Sequence, residues 1–207
     1  MRFGCPSHAP CFALNPAIIL ASTSPHRRSL LERLGLPLTC VAPEVDEGLV
    51  EGELPRDRAM RLARAKASAV ARLHPGAIVI GSDQVASIGD EAAAQILRKP
   101  GDRDTCRRQL LAMSGRTAHF DTAVAVARDA TLNAHLEPTL VRFRKLQLSE
   151  IDSYMEREPS FACAGGFKCE GLGVTLFDSI ESRDPTALIG LPLIWLCAAF
   201  RDIGVKV

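Results

Sequence analysis

The sequence predicts an α/β protein built on a mixed β-sheet. Three observations predict it. Short apolar runs alternate with helical patterns early in the chain, two long strand candidates follow each other in the middle, and a helical segment closes the C-terminal end.

The first run, Ala17-Ile18-Ile19-Leu20-Ala21, is short, apolar and β-branched, and reads as a buried strand. It stops at Ser22-Thr23-Ser24-Pro25, where Ser24 can cap a helix whose first position is Pro25. Leu30, Leu31 and Leu34 recur at helical spacing until Gly35 ends the element. Leu38–Ala42 reads as a second strand, followed by an acidic loop, Glu44-Val45-Asp46-Glu47. Pro55 to Leu73 is rich in Ala and Arg with no internal Gly or Pro, the pattern of an uninterrupted helix, closed by His74-Pro75-Gly76. Ala77–Gly81 is another buried strand, which delivers Ser82-Asp83-Gln84 at its end.

Val85–Leu97 reads as a hairpin with Gly89-Asp90 at its tip and an arm swollen by Glu91–Gln95. A helix over Asp102–Met113 ends at Ser114-Gly115. The two long strands are Thr117–Arg128 and Leu132–Arg144, with Asp129-Ala130 at the turn. Ser149–Arg157 reads as a helix capped by Ser149, Ala162–Gly173 as a Gly-rich loop, Val174–Ile180 as a strand, and Leu193 to Ile203 as the last helix.

Composition narrows the function classes. With 207 residues, 47% of them hydrophobic, the chain can bury a sizeable core without crosslinks. Its net charge of +1 shows none of the basic bias of a nucleic-acid binder, so an acidic ligand has to be met by locally placed Lys and Arg. No apolar run approaches the ~20 residues of a membrane-spanning helix. The seven cysteines are an odd, scattered set without a C-x-x-C pair, which points away from a disulfide framework or structural zinc and towards small buried hydrophobes in a reducing compartment. A cytoplasmic protein is expected, with residues 1–15 a loose extension or a mis-called start and 16–207 a single domain.

Three polar clusters carry candidate chemistry. Ser22-Thr23-Ser24-Pro25-His26-Arg27-Arg28 offers hydroxyls, helix N-terminal amides and arginines, a phosphate cradle, although an ordinary capped helix has the same pattern. Gly81-Ser82-Asp83-Gln84 holds a carboxylate at the mouth of a buried strand, suited to a metal or to taking a proton from water; a turn Asp bonding its own backbone is the plain alternative. Glu47 supplies a second carboxylate, and Lys66 and Lys99 possible phosphate partners. Gly165-Gly166-Phe167-Lys168-Cys169-Glu170-Gly171 combines backbone that can approach a ligand with the π-face of Phe167 and the acceptor Glu170, or is a tight loop with a core Phe.

Taken in order, the motifs resemble one family. Ile19-Leu20-Ala21-Ser22-Thr23-Ser24-Pro25 with Arg27-Arg28, Ala42–Glu47, Leu62-Ala63 with Lys66-Ala67, Gly81–Gln84, Lys99-Pro100, Leu110–Gly115, Gly165–Gly173 and Gly190–Leu193 resemble the Maf nucleotide pyrophosphatases at matching intervals. The resemblance implies an elongated, two-lobed α/β fold around a central cleft, related to the inosine triphosphate pyrophosphatases, and hydrolysis of a nucleoside triphosphate to the monophosphate and pyrophosphate. It implies a divalent cation, Mg²⁺ first with Mn²⁺ or Co²⁺ as alternatives, and a homodimer. Asp83 matches the proton acceptor. Ser22, Arg27, Glu47, Lys66 and Lys99 match the other cleft residues, with Glu47 and Asp83 as the groups that would hold metal.

His26, Gln84 and Glu170 match specificity positions. Ser82-Asp83-Gln84 and Phe167–Gly171 resemble the branch that acts on 7-methyl-GTP, which generally carries Trp where His26 stands. A Trp face would favour a cationic base by ~0.5–2 kcal/mol, so His26 is a departure that Phe167 would have to offset. The stretch Glu91–Leu97 is also longer than usual. The competing expectations are a dTTP/UTP pyrophosphatase of the same family and a nucleotide-binding regulator of cell division without catalysis.

Overall fold

The structure is a computed structural model that describes residues 16–90 and 94–207. The elements run β1 (Ile18–Leu20), α1 (Pro25–Glu32), β2 (Leu38–Cys40), α2 (Pro55–Leu73), β3 (Ile78–Ile88), β4 (Gln95–Leu97), α3 (Arg103–Met113), β5 (Thr117–Arg128), β6 (Thr131–Phe143), α4 (Leu148–Arg157), β7 (Phe177–Glu181) and α5 (Leu193–Asp202). Among the described residues the strands form one mixed sheet in the order β2-β1-β3-β5-β6-β7, with β4 also on β3. The predicted α/β class and mixed sheet are therefore what the chain builds. Residues 1–15 and 91–93, the start of the Glu91–Leu97 stretch, lie outside the described residues.

β3 decides the layout. One of its edges is paired with antiparallel β5 from Val79 to Ile88. The other edge takes parallel β1 at Ile78–Ile80 and antiparallel β4 at Ala86–Ile88, so Gly81–Val85 has no strand beside it there. The sheet is split at this point, and the gap opens a cleft between the β1–β2 end and the β4 end.

Side chains alternate across the strand. Ile78 and Ile80 join α1 and α5 in one core cluster, with Leu30, Leu31, Leu196 and Phe200. Ala86 and Ile88, on the same face but at the far end, join a second cluster with α3, α4, Phe120 and Phe143. These two clusters are the cores of the two ends. The opposite face belongs to α2, whose Ala59, Ala63 and Ala67 meet Val79, Ala123, Ala125 and Ala127. Small side chains on both surfaces let this helix lie close to the sheet, which explains its alanine content. Contact is closest at Gly81, where a Cβ would overlap the carbonyl oxygen of Ala63 and stand 2.5 Å from the amide nitrogen of Ala67.

Several local expectations are corrected. Asp83 is not at the end of its strand, because the strand runs on to Ile88; the short apolar run marks only the half that is buried beside β1. α4 begins at Leu148, not after a Ser149 cap: the amide of Gln147 donates to Glu150 Oε2 at 2.8 Å, closing the first turn one residue earlier. β7 begins at Phe177 because Leu172–Leu176 forms a 3₁₀ turn. Of the cysteines described, all five are free thiols, but only Cys106 is fully buried. The hairpin of β3 and β4 pairs Ile88 with Gln95 as its innermost residues. At the β5–β6 turn, Asp129 adopts φ 51° and its carboxylate accepts from the amide of Gly76. No helix among the described residues is long and apolar enough to cross a membrane.

Candidate active site

A cleft of about 870 Å³ occupies the gap in the sheet. Asp83 enters it from the unpaired stretch of β3, on the α2 face. Lys66 arrives from α2, one turn beyond Ala63, and its depth is set by the close contact at Gly81. Lys66 is only 6% exposed, and its ammonium lies 2.7 Å from Asp83 Oδ1 and 2.7 Å from Glu47 Oε1. One buried cation thus joins two carboxylates from different parts of the chain. Its hydrogen bond is the main reason the Glu47 carboxyl sits below the usual carboxylate range; burial works against this, and the charges of Lys66, Lys99 and Arg27 assist it.

Glu47 is placed by α2 as well. Arg58 donates to the backbone carbonyls of Glu47 (2.6 Å) and Gly48 (3.1 Å), Arg61 reaches Gly48 (3.2 Å), and Asp46 closes the turn by accepting from the Gly48 amide. The irregular acidic loop is therefore pinned to the helix that carries Lys66.

The turn after β1 forms another wall. Ser22 is buried, and its hydroxyl accepts from the Ser24 amide; Ser24 Oγ accepts from the Arg27 amide and caps α1, with Pro25 in the first turn. Arg27 Nε donates to the Gly190 carbonyl at 2.9 Å, and Ser82 donates to the same oxygen at 2.9 Å. Burial lowers the Arg27 pKa, while the charges of Asp83 and Glu47 hold it up. Lys99 lines the cleft from the end of β4 with Arg98 beside it.

Of the residues expected to set specificity, His26 and Glu170 form a pair: Nδ1 of His26 is 3.0 Å from Glu170 Oε1, and Cys163 Sγ lies 3.8 Å from the other ring nitrogen. Gln84 lines the cleft, but its amide nitrogen is committed to Thr122 Oγ1 and to the carbonyls of Ala187 and Leu188. Phe167 lines the cleft, but little of its ring is exposed there. Phe167 is 5% exposed and packs edge-on against Phe120, Phe143 and Phe177 in the core.

All nine candidate residues line the one cleft: Ser22, His26, Arg27, Glu47, Lys66, Asp83, Gln84, Lys99 and Glu170. Sequence reasoning missed Arg58, Arg98 and Cys163. Arg58 is one of several arginines on an Arg-rich helix, and nothing in the pattern separates it from its solvated neighbours. It also missed Leu188 and Ile189, at the end of the Ser182–Gly190 segment, as part of the wall. Asp184, 2% exposed, holds that segment by accepting from Thr186 and from the Ile194 amide at the start of α5. Among the described residues, no group of three His, Cys, Asp or Glu side chains is arranged as a metal-binding cluster.

The family model described as Maf-like protein matches residues 17–203. The chain belongs to the Maf family. Maf relatives span nearly all of it. A protein of Xanthomonas oryzae pv. oryzae (strain MAFF 311018), named 7-methyl-GTP pyrophosphatase, is 53% identical over 190 residues, 91% of this chain and 97% of its own. Proteins of the same name from Bordetella pertussis and Alcanivorax borkumensis are 49% and 46% identical, covering 93% and 92% of this chain and 95% and 96% of their own. Among solved structures, that of the Staphylococcus aureus Ham1 protein aligns with a TM-score of 0.49 at 15% identity, over 90% of this Maf chain and 98% of that one.

Proposed function

We propose that the chain is a nucleoside triphosphate pyrophosphatase that hydrolyses 7-methyl-GTP to 7-methyl-GMP and pyrophosphate in this cleft. The observation that carries the chemistry is the Asp83–Lys66–Glu47 cluster on the unpaired edge of β3, facing a cleft with Arg27 and Lys99 on its walls. The base is chosen from the shared name of relatives about half identical to this chain.

Lys66 occupies Oδ1 of Asp83 and leaves Oδ2 for water. Asp83 takes the proton from a water that attacks the α-phosphorus, and pyrophosphate leaves. Arg27 and Lys99 hold the phosphates, with Ser22 and the capped turn of α1 beside them. Lys66 has three N–H donors and two carboxylate partners, so one donor remains for a phosphate oxygen.

Asp83 and Glu47 are the residues that would hold a divalent cation. Two hard carboxylates, with no third acidic or imidazole ligand among the described residues, suit an ion such as Mg²⁺ that is bound jointly with substrate phosphates. Such an ion supplies neutralisation of the charge that develops on the triphosphate.

Glu170 is the remaining carboxylate on the wall of the cleft, and it pairs with His26 and not with Lys66. It faces the base, where 7-methylation makes the ring cationic and its N1–H a stronger donor. Pyrophosphate release from 7-methyl-GTP, GTP, dTTP, UTP and CTP tests the reading. A clear preference for 7-methyl-GTP is expected; equal turnover of GTP and 7-methyl-GTP would remove the choice of base, and release of orthophosphate would remove the reaction type.

A further inference from the structure

The carbonyl oxygen of Gly190 joins two parts of the cleft that are far apart in sequence. It accepts two hydrogen bonds of 2.9 Å each, from Arg27 Nε on α1 and from the Ser82 hydroxyl on β3. A carbonyl oxygen has two lone pairs, so both are taken. Ser82 is at 0% exposure, and its hydroxyl is out of reach of solvent. The peptide unit that carries this carbonyl is held on its other side as well: the Leu191 amide donates to the Thr186 carbonyl at 3.4 Å, and the Gly190 amide donates to the Ala187 carbonyl at 2.8 Å. Gly190 has φ +127°, a conformation that favours glycine, and a Cβ there would stand 3.5 Å from Arg27 Cγ and Nε. The Arg27 side chain therefore lies against this piece of backbone.

Tying Nε leaves the two terminal nitrogens of Arg27 without a hydrogen-bond partner among the described residues. A guanidinium is a rigid planar fork, so fixing its Nε narrows the directions in which the outer pair can point. We propose that Ser82 is a positioning residue for Arg27: its hydroxyl locks the Gly190 carbonyl, and that carbonyl aims the outer nitrogens of Arg27 at the substrate phosphates. This rests on the reading that Arg27 holds phosphates. The hydroxyl is not needed to place Asp83 beside it. The ladder with β5 pairs Ser82 with Val124 and Asp83 with Ala123, and Lys66 holds the Asp83 carboxylate. Side chains alternate along the strand, so Ser82 points to the opposite face from Asp83, the face of Ile78, Ile80 and α1. Two consecutive residues of β3 thus serve the cleft from opposite faces, Asp83 directly and Ser82 through Gly190.

A double-mutant cycle separates this role from a purely structural one. Pyrophosphate release from 7-methyl-GTP and calorimetric binding of inorganic triphosphate are measured on the wild-type chain, Ser82→Ala, Arg27→Met and the double variant, with thermal melting of each. Inorganic triphosphate has no base, so its binding reads the phosphate contacts alone. Ser82→Ala should lower kcat/KM and weaken triphosphate binding by about 10-fold each, the scale of one hydrogen bond. In the Arg27→Met background the same change should cost less than about 2-fold, because no guanidinium is left to aim. Ser82→Cys, which keeps a weak S–H donor, provides the same cycle with a smaller loss if Ser82→Ala does not melt cooperatively. A loss of equal size in both backgrounds would show that the hydroxyl only braces the fold, and overturns the proposal. So does a Ser82→Ala chain with wild-type kcat/KM and wild-type triphosphate binding. If Arg27→Met alone behaves as the wild-type chain in both assays, the phosphate role of Arg27 falls, and the positioning role of Ser82 falls with it. If 7-methyl-GTP is not hydrolysed but triphosphate binding shows the coupling, the choice of nucleotide falls and the positioning of Arg27 stands.

Discussion

Replacing Gly81 by alanine would test how the fold sets the site, because Gly81 does not line the cleft. The added Cβ would overlap the Ala63 carbonyl oxygen and approach the Ala67 amide nitrogen to 2.5 Å and the Ala67 Cβ to 2.9 Å. Two of these neighbours are backbone atoms of α2, so no side-chain rotation relieves them. Restoring ordinary separation moves the helix outward by on the order of 1 Å. Overpacking of this kind costs about 2–3 kcal/mol, the upper part of its usual range. For a chain of this length that is a fall of about 4–12 °C in Tm. Lys66 sits between Ala63 and Ala67 and moves with them, and at 6% exposure it has little room to readjust its 2.7 Å bonds to Asp83 and Glu47. A misplacement of about 1 Å in a catalytic group can cost on the order of 100-fold, so kcat/KM for 7-methyl-GTP should fall by roughly 10–100-fold in a folded protein. Thermal melting and pyrophosphate release measured on the same preparation give both numbers. Wild-type Tm with wild-type kcat/KM would refute the claim that close helix–strand packing at Gly81 places Lys66.

Lys66→Met should shift the acid limb of kcat/KM upward. In the wild-type chain the Lys66 hydrogen bond keeps Glu47 ionised below the ordinary carboxylate range, so activity that needs this carboxylate is lost only as pH falls through the lowered pKa; without Lys66, burial is opposed only by the smaller effects of Lys99 and Arg27, and a pH–rate profile reads the move. Glu170→Gln should reduce the ratio of kcat/KM for 7-methyl-GTP over GTP, because the neutral amide no longer attracts the cationic ring; an unchanged ratio would remove Glu170 from base recognition. Gln84→Ala should destabilise by about 1–2 kcal/mol in thermal or urea melts by leaving the Leu188 carbonyl without its donor, while Ala187 keeps its bonds from Thr122 and Gly190, and melting identical to wild type would show that the segment is held by other bonds.

The parts of the fold that could be read from sequence were those where one local signal dominated. α2 runs from Pro55 to Leu73 as its uninterrupted composition predicts, and the long β5 and β6 strands flank a two-residue turn at Asp129-Ala130. β3 was legible only in its first half. Its polar residues Ser82, Asp83 and Gln84 break the apolar run, yet backbone pairing with β5 continues through all three. Polar residues are tolerated there because Ser82 and Gln84 bond the Ala187–Gly190 segment and Asp83 bonds Lys66. Of the two readings of Phe167, a face for a ligand or a core ring, sequence could not choose: it lines the cleft, yet three other Phe rings pack edge-on against it. The bridge made by Lys66 was beyond sequence reading, since it joins residues 47, 66 and 83 through a loop, a helix and a strand.

Single-turnover pyrophosphate release from 7-methyl-GTP by the wild-type chain and by Asp83→Asn, under nucleotide-saturating conditions, tests the central claim most directly. The account predicts pyrophosphate as the product and a rate lower by roughly 10²–10⁴-fold in Asp83→Asn, the usual scale for losing a general base, with nucleotide binding retained. Equal rates in the two proteins would contradict it.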